Sequence, residues 1–409
     1  MSSIELIQKK SIRTLSSVQV LSGIGTAGTF AAGSLLVSSI TNSETLAGLS
    51  QTFGVLGAAA MAIPLAKLTE KGGRRLGLAL GYGLGSIGGI SAIMGGVHRN
   101  IFLMLLGTFL VGAASASGYQ ARFAATDLAL PENRSRNLSF VVWGSTVGAV
   151  AGPNLMEPAG NLAEHFSLPR LVGPYMVAAF MLAAASTVIT IFLRPDPYLT
   201  ALKLQHLNST KVKRHTARKT LHLVSKNPRA LLGIIAIAIG HVAMVSVMVM
   251  TPVHMAHVDV TLTIIGLVIS IHVAGMYALS PVVGYLSDKW GRVTVIRIGG
   301  IILLASTLIA GLSHADNVAT MGLGLFLLGL GWSCTLIAGS TLLSESLTED
   351  LRPSAQGASD LLMNLTGALG GALAGVVIAT LGYGWLCFFA AIPVSILVVL
   401  TFRRFKVSE

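Results

Sequence analysis

Apolar runs of about 20 residues alternate with short polar connections along the whole chain. A helix of that length crosses the hydrocarbon core of a bilayer at 1.5 Å per residue. The runs fall at 14–40, 45–66, 76–97, 101–124, 137–156, 170–193, 230–255, 262–286, 293–313, 318–342, 355–380 and 383–402. The pattern predicts an all-α integral membrane protein with twelve transmembrane helices.

Composition supports this. Of 409 residues, 53% are hydrophobic and 11% charged, against about 25% charged in soluble domains. Forty-six glycines suit helices that pack closely through small residues. The net charge of +12 is a topology signal. With both termini in the cytoplasm, all Lys and Arg residues except Arg99 and Arg170 fall on cytoplasmic segments or helix ends. No nucleic-acid-binding module accompanies the charge. The first apolar run is too long for a signal-peptide core. Cys334 and Cys387 lie far apart inside predicted helices and form no redox or metal motif.

The chain repeats itself at an offset of 218 residues. Ala66-Lys-Leu68-Thr-Glu70-Lys71-Gly-Gly73-Arg74-Arg75 corresponds to Gly284-Tyr-Leu286-Ser-Asp288-Lys289-Trp-Gly291-Arg292-Val293 (288 − 70). The same offset relates Asp127 to Glu345 and Arg134 to Arg352, at the ends of the fourth and tenth spans. Charges repeated at membrane boundaries predict two parallel six-helix halves, 1–193 and 230–409, joined by a basic linker at 194–229. The loop at 284–292 resembles the signature loop of the major facilitator superfamily, and 66–75 is a weaker copy with Ala66 and Glu70 substituted. The resemblance implies a pseudo-symmetric transporter fold and alternating access. Glu70, Arg74, Asp127, Asp288, Arg292 and Glu345 are then the expected latch and gating residues. In physical terms, the acidic residue caps a neighbouring helix N-terminus while the arginine pairs with carboxylates.

In the fifth span, Gly144, Gly148 and Gly152 precede Pro153. Glycines four apart share a helical face and admit another backbone. The pattern resembles, incompletely, a motif of drug and proton antiporters. The arginine motif that those proteins carry in the fourth span is degraded, with Gly107 in the arginine position.

Ionisable side chains at membrane depth are costly and invite a functional reading. Arg122, Asp127, Glu345 and Asp360 lie near helix ends, where gating or structural roles are expected. Deeper are His241 and His272. The seventh span reads His241-x-x-Met244-x-x-x-Met248-x-Met250, with His254, Met255, His257 and Asp259 at its outer end. The eighth span reads His272-x-x-x-Met276. Three- and four-residue spacings place His241, Met244 and Met248 on one face, and His272 and Met276 on another. Thioethers with imidazole suit soft Cu(I) rather than Mg or Ca, and zinc lacks a thiolate or carboxylate at this depth. Methionine is also a flexible core filler. Yet the offset maps Met244, Met248, His272 and Met276 onto Thr26, Phe30, Gly54 and Ala58, so only one half carries the set.

The two motifs, 28 residues apart from Met244 to His272, resemble those of the CcoA-like copper importers. These are bacterial members of the superfamily that supply copper for cytochrome oxidase assembly. The resemblance implies that Met244, Met248, His272 and Met276 are copper ligands; His241 joins them on its helical face alone. It implies Cu(I) import across a bacterial inner membrane, with copper as cargo rather than cofactor and a cytoplasmic copper chaperone as a possible acceptor. A monomer is expected. Two rivals stay open within transport: a proton-coupled exporter, and an importer of a small organic compound such as riboflavin. A copper sensor that binds without transport is a third. No nucleotide-binding loop and no nucleophile–base pair point to an enzyme.

Overall fold

A computed structural model describes residues 3–42, 46, 48–206, 223–256 and 262–402. These residues form helices and connecting turns without a strand. The helices are α1 (Ser3–Thr41), α2 (Leu49–Val97), α3 (Ile101–Ala124), α4 (Arg134–Asn154), α5 (Met156–His165), α6 (Gly173–Phe192) and α7 (Pro197–His206). After the linker come α8 (Pro228–Ala256), α9 (Leu262–Tyr277), α10 (Ser280–Trp290), α11 (Arg292–Leu312), α12 (Val318–Glu345), α13 (Arg352–Leu381) and α14 (Tyr383–Leu400).

Among the described residues, ten helical stretches are long and apolar enough to cross a membrane. Twelve were expected, and the difference has two causes. The run Leu49–Val97 carries the second and third predicted spans in one helix, interrupted at Gly73 (φ 85°, ψ 173°). Helix α4, the fifth predicted span, is diluted by Ser135, Asn137, Ser139, Ser145 and Thr146 and does not reach the same hydropathy. Short helices α5 and α7 were not anticipated, nor was the turn at 278–279 that divides the eighth span into α9 and α10.

Compactness divides the chain into two units. One comprises Met1–Ala129, Gly144–Arg214 and Glu349–Leu361; the other comprises Leu130–Trp143, His215–Thr348 and Leu362–Glu409. Each unit therefore includes a stretch from the other sequence half, at the first turns of α4 and of α13.

In the first unit, α3 begins where the Asn100 side chain accepts from the N–H groups of Phe102 and Leu103 at 3.0 and 3.1 Å, a regular N-cap. Its Ala- and Gly-rich course packs along α2, and Ala92, Met104, Val172 and Tyr175 join Leu36 and Val37 of α1 in one core cluster. Gly23 and Gly148 bring α1 and α4 together so closely that a Cβ on Gly23 would lie 2.9 Å from the Gly148 Cα. This is the close approach that the glycines of the fifth span predict.

In the second unit, α12 is the central element, and every residue from Gly331 to Ser344 is buried. Its start is capped by Asn317, which accepts from the Thr320 N–H at 3.2 Å. Large apolar side chains elsewhere point outward, including Leu312 (76% exposed) and Val399 (66%). Outward apolar faces on long helices are what a lipid environment requires.

Candidate functional site

His272, Met276, Met244 and Met248 all belong to the second unit, on α9 and α8. Helix α9 meets α12 through paired glycines. A Cβ on Gly329 would lie 2.7 Å from the Met276 N and would strike the His272 carbonyl oxygen; one on Gly275 would strike the Phe326 carbonyl oxygen. This backbone contact brings His272, which has no exposed surface, within 2.8 Å (Nδ1) of the Leu325 carbonyl oxygen. A carbonyl only accepts, so Nδ1 carries the hydrogen. In the neutral ring Nε2 is then a bare lone pair, and it has no hydrogen-bond partner among the described residues. Met276 is buried one helical turn further on, Met244 is buried on α8, and Met248 is half-buried.

His241 differs. Its Nδ1 accepts a hydrogen bond from the Trp332 indole Nε1–H at 3.2 Å. Indole only donates, so the neutral His241 ring carries its proton on Nε2. His241 therefore has no bare nitrogen comparable to His272 Nε2, and its place among the ligands rests on its helical face alone. Trp332 also meets Tyr277 edge to face, with ring centroids 5.7 Å apart.

The expected outer cluster is partly accounted for by packing. His254 stacks on Tyr383 with centroids 4.3 Å apart and an interplanar angle of 8°, and Met255 is buried. His257 and Asp259 lie outside the described residues. Among the described residues, no group of three or more His, Cys, Asp and Glu side chains is arranged to hold a metal ion.

The six latch residues form two related networks. In the first unit, Arg74 makes a two-pronged contact with Asp127: Nε to Oδ2 at 2.8 Å and Nη2 to Oδ1 at 3.0 Å. The same Nη2 donates to Gln356 Oε1 at 2.7 Å, and Glu70 accepts from the Ser354 hydroxyl. In the second unit, Arg292 Nε lies 3.2 Å from Glu345 Oε2, and Nη1 lies 3.0 Å from Asp288 Oδ1. Asp288 also accepts from the backbone N–H groups of Ser135 (3.0 Å) and Arg136 (2.8 Å), capping the start of α4. Ser354 and Arg136 are related by the same 218-residue offset (354 − 136). The backbone follows it too: Gly73 (φ 85°) and Gly291 (φ 89°) both take positive φ, which glycine adopts without strain. At Gly73 a side chain would also meet the Asp196 carboxylate.

The sequence did not reveal the Arg122–Asp360 pair, Nη2 to Oδ1 at 2.6 Å. Both charges were visible, but 238 residues separate them and no repeated motif links them.

Residues 15–258 and 245–409 match the family model described as "Major Facilitator Superfamily". The chain belongs to the major facilitator superfamily. As a member it is a multi-pass secondary transporter. It is 35% identical to the uncharacterised MFS-type transporter YddS of Bacillus subtilis over 98% of this chain and 92% of the relative. It is 27% identical to the riboflavin transporter RfnT of Brucella anthropi over 87% of this chain and 86% of that protein. Among solved structures, the human organic anion transporter MFSD10 superposes with a TM-score of 0.75 at 15% identity, covering 96% of this chain and 99% of that one. At that identity the likeness concerns the fold.

Proposed function

We propose that this major facilitator protein carries Cu(I) inward through Met244, Met248, His272 and Met276. The observation that supports the reading is His272: a fully buried imidazole whose Nδ1–H is held by the Leu325 carbonyl while Nε2 has no hydrogen-bond partner. Metal-ligating histidines are oriented in this way, with one nitrogen fixed by a carbonyl and the other directed to the metal. An unsatisfied polar atom in the hydrocarbon region is otherwise a net cost. Met276, one turn along α9, and the two methionines of α8 supply soft donors of low charge. They are selective for Cu(I) without the binding strength of thiolates. A negative-inside potential favours cation entry by about 2.3 kcal/mol per 100 mV.

Cu(I) titration of the purified protein under reducing conditions, against a chromophoric chelator, tests the reading. Wild type is expected to compete for one ion, and His272→Ala to lose at least about tenfold in affinity. Equal affinities in the two proteins would remove His272 from the site.

A second reading, import of a flat organic compound, is favoured by the Trp332–Tyr277–His241 group on α12, α9 and α8 and by the riboflavin transporter among the relatives. Saturable riboflavin uptake that Trp332→Ala abolishes would favour it over copper.

A further inference from the structure

In the second unit, α11 and α14 pack along a seam that holds an apolar groove of about 720 Å³, with Leu381 of α13 in its wall. Its volume falls within the range of roughly 300–1,000 Å³ typical of ligand sites. Glycines set the distance between the two helices. A Cβ on Gly311 would lie 2.8 Å from the Cys387 Cβ, and one on Gly300 would lie 2.6 Å from Val398 Cγ2. The groove runs from Leu304 and Ala391 to Leu312 and Gly384, where α11 ends and α14 begins. At 1.5 Å per residue this is about 12 Å. One leaflet, half of the hydrocarbon core, is about 15 Å thick.

The wall offers little to a hydrogen-bonding ligand. The Thr307 hydroxyl donates to the Leu304 carbonyl at 2.9 Å. The Tyr383 hydroxyl, beside Cys387, is paired with Thr251 at 2.8 Å. Leu308, Leu312, Trp385 and Phe388 are exposed, so the groove is continuous with the apolar, lipid-facing surface of the helices. Water does not occupy an apolar space of this kind, and leaving it empty forfeits the dispersion contacts of its lining. Hydrocarbon is the occupant that remains. A helix is about 10–12 Å across with its side chains, whereas a Cβ on Gly384 would lie 3.1 Å from the Gly311 carbonyl oxygen. A second copy of the chain would therefore cover the groove without filling it, and a single acyl chain fills it. Trp385, the third residue of α14, meets Phe388 edge to face with centroids 5.7 Å apart. An apolar ring with one N–H donor at a helix end suits the boundary between acyl chains and headgroups.

We infer that the α11–α14 seam is a binding site for one acyl chain of a phospholipid in the leaflet where α14 begins, with the Trp385 N–H as donor to its ester or phosphate oxygens. The seated chain bridges α11, α13 and α14 and is a structural lipid, not cargo. The methionine–histidine set lies on α8 and α9, so this site and the copper reading fail or stand separately.

The test titrates a phospholipid with brominated acyl chains, which quench indole fluorescence on contact, into the full-length protein stripped of lipid in detergent. Trp290, exposed at the end of α10, serves as the internal reference, and Trp385→Phe and Trp290→Phe assign each indole's share of the signal. Quenching of Trp385 is expected to saturate near an equimolar ratio of lipid to protein, while that of Trp290 rises in proportion to the lipid content of the micelle. Ala391→Phe, which places a ring in the groove, is expected to lose the saturable share. Leu365→Phe, at an exposed position of α13 outside the groove, is expected to keep it. The wild-type curve decides even where Ala391→Phe does not fold. Quenching of Trp385 that rises without saturation, as at Trp290, would mean a lipid annulus only and would overturn the inference. So would a saturable share undiminished in folded Ala391→Phe.

Discussion

Two histidines at membrane depth carry the same label in the sequence and opposite chemistry in the structure. His272 gives its Nδ1–H to a carbonyl and leaves Nε2 without a partner, whereas His241 receives an indole N–H at Nδ1. Helical spacing placed both near methionines and gave no ground for separating them. What separates them are Leu325 and Trp332, 53 and 91 residues away, and no local pattern announces such partners. The prediction at this scale is a contrast. In the Cu(I) titration, His241→Gln is expected to stay within about threefold of wild type, while His272→Ala falls by at least about tenfold. A larger loss in His241→Gln than in His272→Ala would show that the assignment of the two rings is reversed.

At the scale of the helix, glycine decides how near two backbones come, and its meaning depends on what faces it. Gly148 was legible as a packing position because it stands four residues from Gly144 and Gly152. In the structure a Cβ there would run into Gly23 and lie 2.8 Å from the Ile24 N. Gly375 on α13 meets nothing within 4 Å. Gly148→Val is therefore expected to cost about 1–3 kcal/mol through overpacking. Gly375→Ala is expected to be neutral or to stabilise by about 0.4–1 kcal/mol. Thermal unfolding in detergent, followed for both variants, checks the pair; equal losses would mean that the α1–α4 approach is looser than described. Most of the spans were readable because they are apolar over their whole length; the fifth, diluted by polar residues, is the exception. The breaks were not readable. A 49-residue helix with a kink at Gly73 and a span divided at 278–279 arise from local backbone geometry and tertiary contacts, to which hydropathy is blind.

For the molecule as a whole, the 218-residue repeat is the feature most fully readable in advance. Glu70 and Asp288, Arg74 and Arg292, and Asp127 and Glu345 were paired by sequence, and they occupy related places in two networks. In both, an acidic side chain reaches the start of a helix: Asp288 accepts from two backbone N–H groups at α4, and Glu70 from the Ser354 hydroxyl on the first turn of α13. Asymmetry is where the specific chemistry lies. The methionine–histidine set occurs in one half alone, whereas the Arg122–Asp360 pair joins a helix of the first half to one of the second. The methionine–histidine set was visible because its residue types are unusual at that depth. The ion pair was invisible because its members come from distant spans.

The most direct test of copper carriage is uptake of radioactive copper into proteoliposomes under reducing conditions. Wild type is compared with the His272→Ala/Met276→Ala double variant at matched incorporation. Time-dependent accumulation by wild type, reduced at least about tenfold in the double variant, is the expected result. Wild-type accumulation no greater than that of empty liposomes, or equal accumulation by the two proteins, would contradict it.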